Sequence, residues 1–244
     1  MTHRAEASHI GSCLSVADIL AVLYADDDRV ALIKQLDASR DVVIMSKGHA
    51  AAALYAALAG VGILDASELV LFCQEGSFLT GHVNHLVSGV EFSTGSLGHG
   101  LSLGLGVALG KRLSGSKGRV FCIVSDGEMN EGSFWEAISW AGHTQASSLT
   151  LIVDKNEIQS LGATHDVLNL DPLQDKLRDF GWNASTVDGH SYTELDGALS
   201  VDSFAERPTA VICRTTKGRG VPRMENRLEW HYRSPSQDDL TSIT

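Results

Sequence analysis

VFCIVSDGEMNEGSFWEAISWAGHTQASSLTLIVDKNEIQSLG, residues 120–162, contains two apolar runs that each stop at a polar turn. Val120–Val124 leads into Ser-Asp-Gly, and Leu149–Val153 leads into Asp-Lys-Asn-Glu-Ile. Short runs of this kind, bounded by turn residues, read as strands buried on both faces. The stretch between them, Phe134–Gln145, reads as a helix. Two parallel strands joined by one crossover helix end on the same sheet edge, where open α/β sheets bind ligands. That edge would bring together the Asp126 carboxylate and the Asn156 amide oxygen. Such a pair suits a hard divalent ion that also holds phosphate oxygens. By themselves, the same residues also suit two ordinary βα turns of a nucleotide-type fold, so the rest of the chain has to decide.

Composition narrows the choice. A chain of 244 residues is long enough for one large α/β domain with its own core. The formal net charge of −11, with no local basic cluster, argues against nucleic-acid binding. Cys13, Cys73, Cys122 and Cys213 are scattered without a CxxC pair, which fits reduced cytoplasmic thiols better than disulfides or zinc. Met1–His9 is polar and charged, unlike a signal peptide. The longest apolar run, Leu101–Leu109, is interrupted by Gly104 and Gly106 and is too short to span a membrane. The expectation is a soluble, cytoplasmic protein.

Glycines crowd FSTGSLGHGLSLGLGVALG, residues 92–110, at 95, 98, 100, 104, 106 and 110. In a helix each costs about 1 kcal/mol relative to Ala, so close packing or a ligand is expected to require them. Two familiar phosphate motifs fail here. A G-x-G-x-x-G/A pattern puts Leu103 or Leu109 at its last position, and a P-loop would need Gly at position 105 and Ser or Thr after Lys111, where the chain has Leu105 and Arg112.

The remaining motifs appear in sequence. Ser8–Ser15 is S-H-I-G-S-C-L-S; residues 40–53 are an apolar run, then S-K-G-H and alanines; residues 80–83 are T-G-H-V and residues 94–98 are T-G-S-L-G. S-D-G, E-G and D-K-N-E-I follow, then D-G-H at 188–190 and K-G-R-G with M-E-N and W-H at 217–231. Taken alone, His9 is a polar loop residue, and His49 a polar residue at a helix start, where a diphosphate could also bind.

In this order the set resembles the transketolase family across His9 to His231. Three departures stand out: Ser125 replaces the usual Gly, Val83 the Pro of G-H-P, and His99 the Gln after T-G-S-L-G. The family also carries a helix upstream of His9, where this chain starts almost at the motif, so that surface is either truncated or covered by a partner.

The resemblance implies an α/β fold, a doubly wound, mostly parallel sheet with helices on both faces, over residues 1–233; the polar tail 234–244 reads by itself as a disordered end or a linker remnant. It implies thiamine diphosphate and Mg²⁺ as cofactors. Asp126, Asn156 and the Ile158 carbonyl would hold the metal. His49, Gly95, Ser96, Leu97, Gly127, Asn156 and His231 would contact the cofactor. His9, His49, His82 and His231 would line a catalytic channel, with His82 near the reactive carbon. His85 reads as a loop histidine and His190 as part of a structural turn. The chain ends where full-length members continue into a pyrimidine-binding domain that supplies an essential glutamate. It therefore resembles the N-terminal subunit of a split transketolase, paired in an α2β2 assembly with a C-terminal subunit and acting on sugar phosphates. Glu131 would sit near that interface. A specialised relative acting on an unusual sugar or acyl acceptor, and a non-catalytic subunit, are the alternatives. Retention of the metal pair and the four histidines argues against the latter.

Local signals complete the expected element list. They predict a first helix capped by Ser15 with Asp18 in its first turn, helices over 172–180 and 193–199, and strands over 184–187 and 210–214.

Overall fold

The computed structural model describes residues 1–200 and 206–241. Five strands form one wholly parallel sheet: β1 (Val42–Met45), β2 (Val120–Ser125), β3 (Leu149–Lys155), β6 (Asn183–Asp188) and β7 (Thr209–Arg214), in the order β1-β2-β3-β7-β6. β2 and β3 pair from Val120 against Leu149 to Ser125 against Asp154, so Asp126 and Asn156 leave neighbouring strands at the same edge.

Strand side chains alternate between two apolar layers, as a sheet covered on both faces requires. Val43, Met45, Phe121, Ile123 and Val211 pack with α1 (Ile10–Tyr24), α3 (Ala51–Gly60) and α8 (Tyr192–Leu199). Val42, Ile44, Val120, Cys122 and Val124 pack with α4 (Gly100–Ser114), α5 (Gly132–His143) and α7 (Leu173–Asp179). The doubly wound architecture follows directly. α2 (Asp27–Lys34), a small hairpin of β4 (Ile158–Gln159) and β5 (Gly162–Ala163), α6 (Thr164–Leu168) and α9 (Gln237–Thr241) complete the elements used here. Among the described residues, no helix is long and apolar enough to cross a membrane.

Several expectations need correction. Ser15 is not an N-cap. α1 begins at Ile10 after a left-handed His9 (φ 69°), and Ser15 is buried inside the helix, donating to Asp154 Oδ2 at 2.5 Å. Local capping statistics favour serine at a helix start, but here a long-range carboxylate takes the hydroxyl. The crowding expected of the glycines holds at Gly100, where a Cβ would collide with the Ser46 side chain. It fails at Gly106 and Gly110, which face open space. The segment from Ser234, expected as a disordered tail, is fastened to the domain as far as Thr241. His3 Nδ1 meets the Pro235 carbonyl at 2.7 Å, and Arg223 pairs with the buried Asp239 at 2.9 Å. Residues 242–244 of that expectation lie outside the described residues.

Candidate active site

The candidate site lies at the carboxyl edge of the sheet, where four strands release their turns together. Ser46–His49 follows β1, Ser125–Gly127 follows β2, Asn156–Ile158 follows β3, and Thr215–Lys217 follows β7. They enclose an open cavity of about 200 Å³ whose wall includes His9, His49, His82, Gly95, Leu97, Asp126, Gly127, Asn156, Ile158, Lys217 and His231. That volume is below the ~300–1,000 Å³ of a pocket that encloses a whole ligand.

Four histidines converge. The His9 ring lies 5.2 Å from His49, 5.7 Å from His82 and 4.9 Å from His231, while His49 and His231 are 5.7 Å apart. The left-handed backbone at His9 turns the chain there, and its N–H donates to the His231 carbonyl at 3.1 Å, stitching the first motif to the last. Burial, then the His82, Lys217 and Lys47 charges, lower the His9 pKa to about 4. Burial, then Lys217 and His9, lower His231 to about 3. Burial and the Lys47 charge hold His49 well below the ordinary imidazole value. These three rings are therefore neutral at pH 7, and an anion in the cavity would shift them upward.

The metal candidates line the same cavity. Asp126 is 1% exposed, and its Oδ2 accepts from Glu157 N at 2.7 Å and Thr164 Oγ1 at 3.2 Å, while Oδ1 accepts from Gly127 N at 2.8 Å. Burial and the nearby Asp154 raise its pKa, the environment expected of a carboxylate awaiting a cation. Asn156 Nδ2 faces Ser15 Oγ at 3.3 Å and Asp154 Oδ2 at 3.5 Å. The amide is thereby oriented with Oδ1 on the other side, where it accepts from Ile158 N at 3.2 Å.

Behind Asn156 lies an ion pair that the local sequence does not reveal. Lys47 and Asp154 are both fully buried and bonded to each other. Ser15 and Thr215 also donate to Asp154, and Lys47 donates to the Ser12 carbonyl at 3.2 Å. Burial alone would raise the Asp154 pKa, but the Lys47 charge and these donors hold it below its ordinary value. A second residue missed from sequence, Lys217, is 1% exposed and donates to the Ile158 carbonyl at 3.0 Å. Burial and the Lys47 charge lower its pKa to about 8, which leaves it a cation at pH 7. The available signals were the lysines in S-K-G-H and T-T-K-G, each just past a strand end.

Close backbone approach holds the cradle. A Cβ at Gly48 would collide with the Thr94 carbonyl, so any side chain there would expel the 94–98 loop. Val83, standing where the family has Pro, donates its N–H to the Gly48 carbonyl at 3.1 Å, a bond proline cannot make. A backbone hydrogen bond thus fixes this loop where the family has a proline ring. Ser96 and His99 are exposed and do not line the cavity; His99 Nδ1 lies 3.0 Å from the Leu97 carbonyl. His85 is exposed and bonded to Ser93. His190 sits in a turn, with Nδ1 2.7 Å from Asp18 and Nε2 accepting from Thr216 N at 2.8 Å. Glu131 is exposed at the start of α5.

A doubly wound parallel sheet with histidines and buried lysines gathered at its carboxyl edge suits a phosphorylated ligand. The chain belongs to the family of the transketolase thiamine-diphosphate-binding domain, which it matches over residues 1–243. It is 34% identical over 239 residues to an apulose-4-phosphate transketolase subunit of Phocaeicola vulgatus, covering 98% of this chain and 85% of that one. It is 34% identical over 225 residues to a 6-deoxy-6-sulfo-D-fructose transketolase subunit of Clostridium sp. strain MSTE9, covering 91% and 82%. Transketolase from Campylobacter jejuni superposes with a TM-score of 0.87 at 26% identity, covering 98% of this chain but 39% of that one. The chain is thus an N-terminal subunit of the split transketolase type.

Proposed function

We propose that this chain forms, with a separate subunit carrying the pyrimidine-binding and C-terminal domains, an enzyme that transfers a two-carbon ketol unit between sugar phosphates. The observation that carries the reading is the convergence of His9, His49, His82 and His231 with Asp126, Asn156 and Ile158 in one cavity.

The residues fit thiamine diphosphate with Mg²⁺. Asp126, Asn156 Oδ1 and the Ile158 carbonyl are hard oxygen donors of the kind Mg²⁺ takes alongside phosphate oxygens and water. Lys217 occupies one lone pair of the Ile158 carbonyl and leaves the other. Gln159 Nε2 is buried in the cavity wall without a partner among the described residues, as an acceptor-rich ligand requires. When bound, the cofactor supplies the carbanion chemistry.

The chain's own groups do the rest. Lys217 opposes phosphate charge, and the neutral imidazoles would hydrogen-bond phosphate oxygens. His9 and His82 stand where sugar hydroxyls would enter, and a bound anion would bring imidazole pKa values back toward neutrality, where proton transfer is efficient. The small, open cavity supports a half-site completed by the partner. Names of the relatives favour a second reading within the same chemistry, a specialised enzyme acting on an uncommon sugar phosphate or sulfosugar. The free thiols support a reducing, cytoplasmic setting.

Ketol transfer should be negligible for the chain alone and should appear on mixing with the partner, as an α2β2 assembly by light scattering. Full activity from the purified chain would refute the split-site reading. A donor and acceptor screen on the complex would separate the common from the specialised substrate class.

A further inference from the structure

We propose that Lys217 is a positioning residue that sets the tautomer of His231, so that His231 faces the cavity as an Nε2–H donor. An ammonium has three N–H donors and no acceptor. Lys217 Nζ lies 3.0 Å from His231 Nδ1 and 3.0 Å from the Ile158 carbonyl oxygen. A ring nitrogen that accepts from an ammonium cannot itself carry a proton. His231 is neutral at pH 7, so its single proton resides on Nε2.

The lysine has little freedom to abandon this role. Its stem packs where a Cβ on Gly11 would lie 3.1 Å from Lys217 Cγ. Its carbonyl accepts from Asn226 N at 2.9 Å, and the preceding Thr216 N–H is held by His190, which is bonded in turn to Asp18. The brace therefore runs from α1 through His190 to Lys217 and on to His231. The His231 carbonyl is tied to His9 N, which fixes the residue from its backbone side.

The consequence sorts one histidine from the other three. Presented through Nε2–H, His231 can donate to a phosphate or hydroxyl oxygen, and it cannot act there as a general base. The same ammonium holds the Ile158 carbonyl, so one side chain ties the turn after β3 to His231.

The identity of the ligand rests on the proposed ketol-transfer function, but the tautomer does not and is measurable on the free chain. Histidine-selective ¹⁵N labelling with multiple-bond proton–nitrogen correlations at pH 7, assigned with His231→Gln, reads it directly. His231 should show an unprotonated Nδ1 and a protonated Nε2. Lys217→Met should populate the Nδ1–H form, and Lys217→Arg, which retains a cationic donor, should preserve the wild-type pattern. Nδ1 protonated or averaged in the wild type would overturn the proposal without any variant, as would an unchanged tautomer in a folded Lys217→Met chain. Neither result bears on whether the complex transfers ketol units.

Discussion

Replacing Lys47 with Met tests whether the buried ion pair beneath Asn156 holds the site together. Met keeps the unbranched stem and removes the charge, so the change isolates electrostatics from packing. Both partners are fully buried, and removing one member of such a pair costs about 3–5 kcal/mol because the other charge is left uncompensated. Ser15 and Thr215 would still donate to Asp154, which places the expected loss near the lower end, about 3 kcal/mol. For a chain of this length that is roughly 6–12 °C in Tm.

The pH dependence carries a sign. In the wild type the Asp154 pKa is held below its unfolded value, so its contribution is present above the unfolded carboxyl pKa and is lost as pH falls through the folded one. Without Lys47, burial dominates and raises that pKa, so the variant gains relative stability as the carboxyl protonates. The deficit should therefore be largest near neutrality and shrink toward acid. Urea unfolding of both chains at pH 7 and pH 4.5 measures it, and Lys47→Met with Asp154→Asn should recover most of the loss. A deficit below about 1 kcal/mol, or one independent of pH, would refute the reasoning.

Three further outcomes are expected. Asp126→Asn keeps an acceptor but loses the charge, so Mg²⁺-dependent thiamine-diphosphate binding by the assembled complex should drop below detection in calorimetry while the fold persists; unchanged affinity would remove the metal assignment. His82→Ala should mainly lower kcat and His49→Ala should mainly weaken cofactor binding, and the reverse pattern in steady-state kinetics and titration would exchange their roles. In the free chain, His9 should titrate near pH 4 and His231 near pH 3 by NMR, and both should move upward when the diphosphate binds. Because these folded pKa values lie below that of an unfolded histidine, acidification below about pH 6.5 should destabilise the free chain more than the loaded complex.

What the residues foretell and what they conceal divide along the range of the interactions involved. Residues 120–162 announce their strands, crossover helix and turn carboxylate because apolar periodicity and turn chemistry act between near neighbours. The same local logic placed its four predicted elements after residue 170 to within a residue or two, whereas His9, His49, His82 and His231 stood out only through the resemblance of their motifs to the transketolase family. It misjudged Ser15, whose hydroxyl answers to Asp154, 139 residues away, rather than to a helix end.

Lys47 and Lys217 were in plain view, yet a lysine in a polar turn carries no sign that it will be buried. Only the parallel register of β1, β2, β3 and β7 puts those turns side by side, encloses the two ammonium groups and gives each its partner. Val83 shows the same division: the sequence shows only that it replaces the Pro of G-H-P, and the fold gives it a backbone hydrogen bond to Gly48. The amino-acid order alone thus determined which groups could do the chemistry. Their burial, charge state and mutual orientation were decided by tertiary packing, since desolvation and hydrogen-bond partners come from segments that are neighbours only in the folded chain.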